Sequence, residues 1–313
     1  MLPYGMFDIS RSADEARRAE KLASIYHKGQ QQAWEGRHVL KELIEKHGGL
    51  HLDPAHRGPI RRIFSVLMWG ELAAWKISAQ LADALVPLEA KMAATSQVFD
   101  EARHFYVLHD YLQALNNVPA KPDKHTETAL NLVLETPNLV QKLLGMQMLF
   151  EPTALTIFKI VRELNVEPVL SDLLTYFEKD EARHVGLGIQ ALPELINEQG
   201  LRDATSTILF QLRVVGHVLR ALRVLEDDFQ TLGMSSRDVL ERGILKFQLS
   251  NDVLLSQLDL DLRPVQEVAK RSIVAVCELM FPREGSSGTV DRLFAAARTL
   301  RHGADFKVDA AAA

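Results

Sequence analysis

The feature that most constrains this chain is a pentapeptide that occurs twice. Asp100-Glu101-Ala102-Arg103-His104 returns letter for letter as Asp180-Glu181-Ala182-Arg183-His184, 80 positions later. Each copy contains Glu-x-x-His, and residues three apart on an α-helix share one side of its axis, as two ligands of one metal must. The offset reaches beyond the pentapeptide. Glu71 lies 30 positions before Glu101, and Glu151 lies 30 before Glu181. A unit made of a helix carrying Glu and then a helix carrying Glu-x-x-His is therefore used twice.

Helical periodicity runs through nearly all of the sequence, and strand-like alternation is scarce. The pattern predicts a first helix over 13–46, capped by Ser12 or Asp14 and ended by Gly48-Gly49. Further helices are expected over 60–85, 88–115, 126–134, 138–164 and 168–197, the two carrying single glutamates being the second and the fifth of the series. Pro152 directly follows Glu151. A proline there removes an i to i−4 hydrogen bond, so a kink or a bulge is expected beside that glutamate. Beyond Gly200 the pattern remains helical, over 201–231, 235–258, 264–281 and 289–300, without the motif. This segment can cover the bundle or form a dimer surface. The reading is one helical domain over 1–313, with the metal-binding bundle at about 60–200, the N-terminal helix at 13–46 and a C-terminal extension at 201–300.

The burial pattern says what the motif is for. Three and four positions from Glu71 lie Leu67, Met68, Ala74 and Trp75, and from Glu151 lie Gln147, Met148, Ala154 and Leu155. Glu101 and His104 are flanked by Val98, Phe105 and Leu108, and Glu181 and His184 by Leu174, Phe177 and Val185. Four carboxylates thus occupy core-facing stripes. Each would cost several kcal/mol to bury unpaired, and together they repel one another. Two divalent cations balance four carboxylates, and two imidazoles complete the ligand set. Such hard oxygen and nitrogen donors suit iron or manganese, with zinc as a possible occupant of isolated material. The candidate ligands are Glu71, Glu101, His104, Glu151, Glu181 and His184. Asp100 and Asp180 can accept the remaining N–H of the opposite motif's histidine, and Arg103 and Arg183 can hold those aspartates.

With these residues the chain resembles the ferritin-like di-metal carboxylate superfamily, in which two helices each give a Glu and two others each give Glu-x-x-His. The repeated Asp-Glu-x-Arg-His is similar to the motif of bacterial multicomponent monooxygenase hydroxylases, and to those of acyl-carrier-protein desaturases, arylamine N-oxygenases and ribonucleotide reductase small subunits. The resemblance implies an all-α, ferritin-like four-helix bundle with additional N- and C-terminal helices. It further implies a di-iron centre, or a manganese–iron one, with O₂ as co-substrate, working on a C–H, N–H or metal substrate. Departures narrow the role. The position of the reductases' radical tyrosine, four after the first histidine, is Leu108. The position of the cross-linking tyrosine of the related ligand-binding oxidases, five before the third glutamate, is Met146. Rubrerythrin-type peroxidases need four cysteines, and ferritins are much shorter.

Three functions remain open on the sequence. The leading one is an O₂-activating oxidase or oxygenase that hydroxylates, N-oxygenates or desaturates a small organic substrate. The alternatives are a ferroxidase without organic substrate and an ion-paired helical bundle without metal. Cys277 is the only cysteine, which excludes an internal disulfide or thiolate cage and fits a reducing cytoplasm. Electrons would then come from an external donor. A net charge of −5 gives no surplus for nucleic acid, and no window of about 18 apolar residues offers a membrane span. A homodimer is expected from the resemblance.

The repeat is imperfect where the second half is more polar. Glu178 answers Val98, and Gln147 answers Leu67. Glu178 is a candidate extra ligand, a proton relay or a salt-bridged residue outside the centre, and Gln147 a core hydrogen bonder. Trp69 and Trp75 read as core, with the lining of a substrate cavity beside Glu71 as the alternative, Trp34 as a cover over the site, and Tyr111 as a core or rim tyrosine. Thr153 and Thr156 read as bonded back to their own helix, with a hydrogen bond from one of them to bound oxygen as the alternative. His27, His38, His47, His51 and His56 read as surface groups, and Arg57, Arg61 and Arg62 as a solvated helix start.

Overall fold

The computed structural model describes residues 20–258, 262–283 and 288–303. Among them every regular element is helical. In chain order these are α1 (Glu20–Gln31), α2 (Gly36–Lys46), α3 (Pro54–Ala84), α4 (Leu88–Ala114), α5 (Lys124–Glu135) and α6 (Leu139–Gly145). A π-helical turn (Met146–Phe150) leads into α7 (Glu151–Leu164) and α8 (Pro168–Asn197). Then come α9 (Leu201–Val224), α10 (Glu226–Thr231), α11 (Ser236–Leu255), α12 (Arg263–Met280) and α13 (Thr289–His302). No helix among the described residues is long and apolar enough to cross a membrane.

The core divides into two apolar clusters, and the chain's direction can be read from them. Helix α3 gives Ile60 to Met68 to one cluster and Ala73 to Leu81 to the other; α8 gives Val169 to Phe177 to the first and Leu187 to Leu192 to the second. Helix α4 runs the opposite way, with Ala90 to Ala94 in the second cluster and Val107 to Leu112 in the first. So does the α6–α7 unit, with Val140 to Met148 before Ile157 to Val161. Two antiparallel hairpins, α3–α4 and α6/α7–α8, are therefore joined by a crossover through α5 that carries the chain from the end of the first cluster to that of the second, so that α6/α7 runs parallel to α4. On all four helices the candidate ligands fall at the junction of the two clusters. A polar layer crosses the middle of an otherwise apolar bundle.

The expected helix over 13–46 is corrected in one respect, and its proposed caps at Ser12 and Asp14 lie outside the described residues. It is two helices, α1 and α2, separated at 32–35. Glu35 is extended at the start of α2 and accepts the backbone N–H groups of Arg37 and His38, the interaction that restarts the helix. Both pieces pack on α4 and α8. The stretch over 201–231 is likewise two helices, interrupted at Leu225. The arginines at the start of α3 are also more than a solvated face. Arg62 grips Asp228 of α10 with Nε at 2.8 Å and Nη2 at 2.5 Å, and Arg61 donates to the Val118 carbonyl.

The distortion expected at Pro152 is present one turn upstream. The Glu151 N–H bonds to the Met146 carbonyl five residues back, and Pro152, without an N–H, cannot donate to Met148. The extra residue in this turn rotates α7 relative to α6 and carries Glu151 into the bundle interior.

Candidate metal centre

Each of the six candidate side chains sits in the middle of a long helix or, for Glu151, just after the π turn. All are buried: Glu101, His104 and Glu181 are 0% exposed, and Glu71, Glu151 and His184 at most 4%. Their donor atoms form two overlapping groups, Glu71, Glu101, His104 and Glu181 in one and Glu101, Glu151, Glu181 and His184 in the other, with all atoms of a group within 4.8 Å of one another. Glu101 and Glu181 belong to both. His104 Nδ1 lies 3.0 Å from Glu181 Oε1, 3.5 Å from Glu71 Oε2 and 3.6 Å from Glu101 Oε2. His184 Nδ1 lies 3.1 Å from Glu101 Oε1, 3.1 Å from Glu181 Oε2 and 3.6 Å from Glu151 Oε1.

The donor atoms fit a pair of cations better than they fit one another. Glu101 Oε2, Glu181 Oε1 and His104 Nδ1 are buried without a hydrogen-bond partner, although Glu181 Oε1 and His104 Nδ1 are only 3.0 Å apart. Atoms at that distance that miss hydrogen-bond geometry share a target instead of bonding to each other. Both histidines present Nδ1 inward because Nε2 is engaged outward. His104 Nε2 donates to Asp180 Oδ2 at 3.1 Å, and His184 Nε2 donates to Asp100 Oδ2 at 3.4 Å. Each histidine is thus tied to the aspartate of the other pentapeptide, which fixes its tautomer.

The two arginines close this ring. Arg103 Nη2 donates to Asp100 Oδ1 at 2.5 Å and to Asp180 Oδ2 at 2.8 Å; Arg183 Nη2 donates to Asp180 Oδ1 at 2.6 Å and to Asp100 Oδ2 at 2.8 Å. Two buried negative charges are matched by two buried positive ones on four hydrogen bonds, the arrangement in which burial of ions is tolerated. Trp34, in the break between α1 and α2, adds an Nε1–H donor to Asp180 Oδ2 at 2.8 Å and lays its ring against the Arg103 guanidinium at 4.6 Å.

The electrostatics of the six follow from burial and crowding. Burial, then the Glu181 charge, pushes Glu71 and Glu151 well above the ordinary carboxylate range. Burial works the same way on Glu101 and Glu181, but the imidazoles beside them outweigh it, so Glu101 lies well below that range and Glu181 falls to about 2. Burial opposes charge on the histidines too. Their carboxylate neighbours prevail, and both are held well above the ordinary imidazole value.

Other sequence readings sort plainly. Glu178 is outside both groups: its Oε1 accepts from Arg162 Nε at 2.8 Å, a salt bridge between α7 and α8. Gln147 is fully buried and donates to Gln97. Thr153 and Thr156 bond back to the carbonyls of Leu149 and Pro152. Tyr111 is buried and donates to Glu167, which also caps α8 at Leu170. Trp69 donates to the Ala120 carbonyl, whereas Trp75, 37% exposed, is a surface residue and no part of the core. His27, His38, His47, His51 and His56 lie outside both groups. Sequence reasoning missed Gln97. Its Nε2 donates to Glu101 Oε1 at 2.9 Å and to Glu151 Oε1 at 2.7 Å. The signal was present, since Gln97 stands four residues before Glu101 on the same helix face.

No family model matches the chain, and no curated protein matches it. Solved structures do. An R2-like ligand-binding oxidase with aerobically reconstituted Mn/Fe cofactor aligns with a TM-score of 0.60 at 18% identity, over 76% of this chain and 92% of that one. A variant of such an oxidase with aerobically reconstituted Fe/Fe cofactor aligns with a TM-score of 0.57 at 19% identity, over 76% of this chain and 93% of that one. The chain therefore has the ferritin-like helical fold of the di-metal proteins to which those oxidases belong, with a buried carboxylate and histidine cluster able to bind two metal ions.

Proposed function

We propose that this protein is an O₂-dependent di-metal oxidoreductase that hydroxylates, N-oxygenates or desaturates a small organic substrate. The observation that carries the proposal is the overlap of the two ligand groups, in which Glu101 and Glu181 are common to both. Glu71 and His104 would hold one metal, Glu151 and His184 the other, with the common glutamates between them. The solved structures that share the fold are named as ligand-binding oxidases with Mn/Fe or Fe/Fe cofactors, which supports a di-iron or manganese–iron centre here. The position of the cross-linking tyrosine of the ligand-binding oxidases is Met146 in this chain, so that side reaction is no part of the proposal.

Bound metals would supply the electrons for O₂ reduction and the oxidising power that amino-acid side chains lack. The chain's own residues do the rest. Asp100 and Asp180 hold the histidine N–H groups and so aim Nδ1 inward, while Arg103 and Arg183 neutralise the aspartates and keep that aim when the charge of the centre changes. Apolar clusters on both sides of the polar layer exclude bulk water, which confines a reactive oxidant to whatever substrate is admitted. Electrons for repeated turnover would come from an external donor, because one cysteine cannot hold an iron–sulfur cluster. We also propose a homodimer in the cytoplasm; the exposed apolar residues Val268, Leu293 and Phe294 on α12 and α13 support a second copy, and sedimentation of the purified protein tests it.

The test is anaerobic loading with Fe(II), exposure to ¹⁸O₂, and mass spectrometry of a panel of small amines, aromatics and acyl compounds. An oxidised organic product with two metals per chain is expected. Failure to bind two metals would overturn the proposal. Oxidation of Fe(II) with release of iron and no organic product would assign metal oxidation instead.

A further inference from the structure

The internal repeat is broken at several buried positions, and three of these breaks fall together around one half of the metal centre. An offset of 80 pairs Gln97 with Phe177, Gln147 with Leu67, and Gly188 with Leu108. Around Glu71 and His104 the side chains are apolar: Leu67, Leu108 and Phe177 are buried, and the Phe177 ring stacks on His104 with centroids 4.2 Å apart. Around Glu151 and His184 the same positions hold two amides and a glycine.

These three residues are mechanically linked. Gln97 Nε2 donates to Glu151 Oε1 at 2.7 Å and to Glu101 Oε1 at 2.9 Å, while its Oε1 accepts from Gln147 Nε2 at 3.1 Å. A Cβ on Gly188 would stand 2.6 Å from Gln147 Cβ, so the glycine leaves the space that Gln147 fills. The direction of the chain of amides is set by its end. Two carboxylate oxygens demand both N–H groups of Gln97, so its carbonyl must face Gln147, and Gln147 must offer its own N–H. Gln147 Oε1 is left buried without a partner, which costs free energy that the leucine of the other half does not cost. The amide chain is therefore unfavourable as core packing. What it does accomplish is to hold two metal-facing carboxylate oxygens, both within 3.6 Å of His184 Nδ1.

On the di-metal reading above, we propose that Gln97, braced by Gln147, is a positioning residue that pre-arranges Glu151 and Glu101 and makes the two metal positions unequal. The position of Glu151 and His184 meets its cation with carboxylates already placed and fills first. The position of Glu71 and His104 has no amide at its back, fills second, and keeps a carboxylate free to change its binding mode.

The proposal is tested by anaerobic titration of metal-free protein with Mn(II), followed by electron paramagnetic resonance, and by Mössbauer spectra of the Fe(II)-loaded form. Wild type should take up two equivalents in two resolved steps and show two distinct iron environments. Gln97→Leu should weaken one equivalent by about 10- to 100-fold, the usual effect of removing a partner of a metal ligand, while the other stays within about threefold and one iron signal moves. Gln147→Leu, which restores the residue found at 67, should act in the same direction to a smaller extent and carries the test if Gln97→Leu fails to fold by circular dichroism. Equal weakening of both equivalents, or no change in either, overturns the proposal. Two equivalents bound by the wild type with one affinity overturn this inference alone, whereas no bound metal overturns the di-metal reading with it.

Discussion

Metal uptake by this centre should be an exchange of protons for cations. Without metal, Glu71 and Glu151 are held well above the carboxylate range by burial and then by neighbouring carboxylates, and His104 and His184 are held well above the imidazole range by the carboxylates that outweigh their burial. Glu101 and Glu181 stay ionised. At pH below those raised values, two neutral carboxyls, two carboxylates and two imidazoliums sum to zero charge, and so do four carboxylates, two neutral imidazoles and two divalent cations. Loading should therefore release up to about four protons per chain, about two per metal. At that stoichiometry each metal's affinity rises about 100-fold per pH unit. The sign comes from the direction of the shifts. All four groups have raised values, so their protons are present at low pH and leave as pH rises through those values; proton release on loading shrinks over the same window. The same shifts stabilise the metal-free fold at lower pH and lose that contribution as pH rises. Calorimetric titration of metal-free protein with Mn(II) in two buffers of different ionisation enthalpy measures the release directly. Loading that releases no protons as pH is lowered, or an affinity flat with pH, would refute this account of the buried charges.

The geometry sets further outcomes. Glu101→Ala and Glu181→Ala should each lose both metals, because each residue belongs to both ligand groups, whereas Glu71→Ala should retain about one; elemental analysis distinguishes these. Trp34→Phe removes one donor to the buried Asp180 and should lower the stability of the metal-free protein by about 1–3 kcal/mol in urea denaturation, with an unchanged urea midpoint counting against the contact. Gly188→Ala places a methyl against Gln147 and should cost about 1–3 kcal/mol. Tyr111→Phe removes a bond to Glu167 and should reduce stability by about 1 kcal/mol while leaving O₂ consumption by the Fe(II) form unchanged, since the ring belongs to the core cluster.

What the sequence determined by itself was the candidate ligand set and the bundle around it. Glu-x-x-His defines one helix face by local geometry, the 80-residue offset pairs the two faces, and apolar neighbours at Leu67, Met68, Leu108 and Phe177 turn them inward; none of this needs a long-range contact to be read. The helices over 88–115 and 168–197 were legible to within a residue for the same reason. Partners across helices were another matter. Periodicity gives the face of a residue but not the rotation of the neighbouring helix, so Glu178, on an apparently inward stripe, turns to Arg162. The extra residue in the turn over Met146–Phe150 shifts the register between Gln147 and Glu151 from the one counted at four residues apart. Likewise, the break at 32–35 that brings Trp34 onto Asp180 depends on α1 and α2 docking against α4 and α8, which no local propensity in Gln32 to Glu35 announces. The bridge from Gln97 to Glu151 spans 54 positions. Only the tertiary structure could decide it, because it exists where two hairpins of the repeat meet and the second departs from the first.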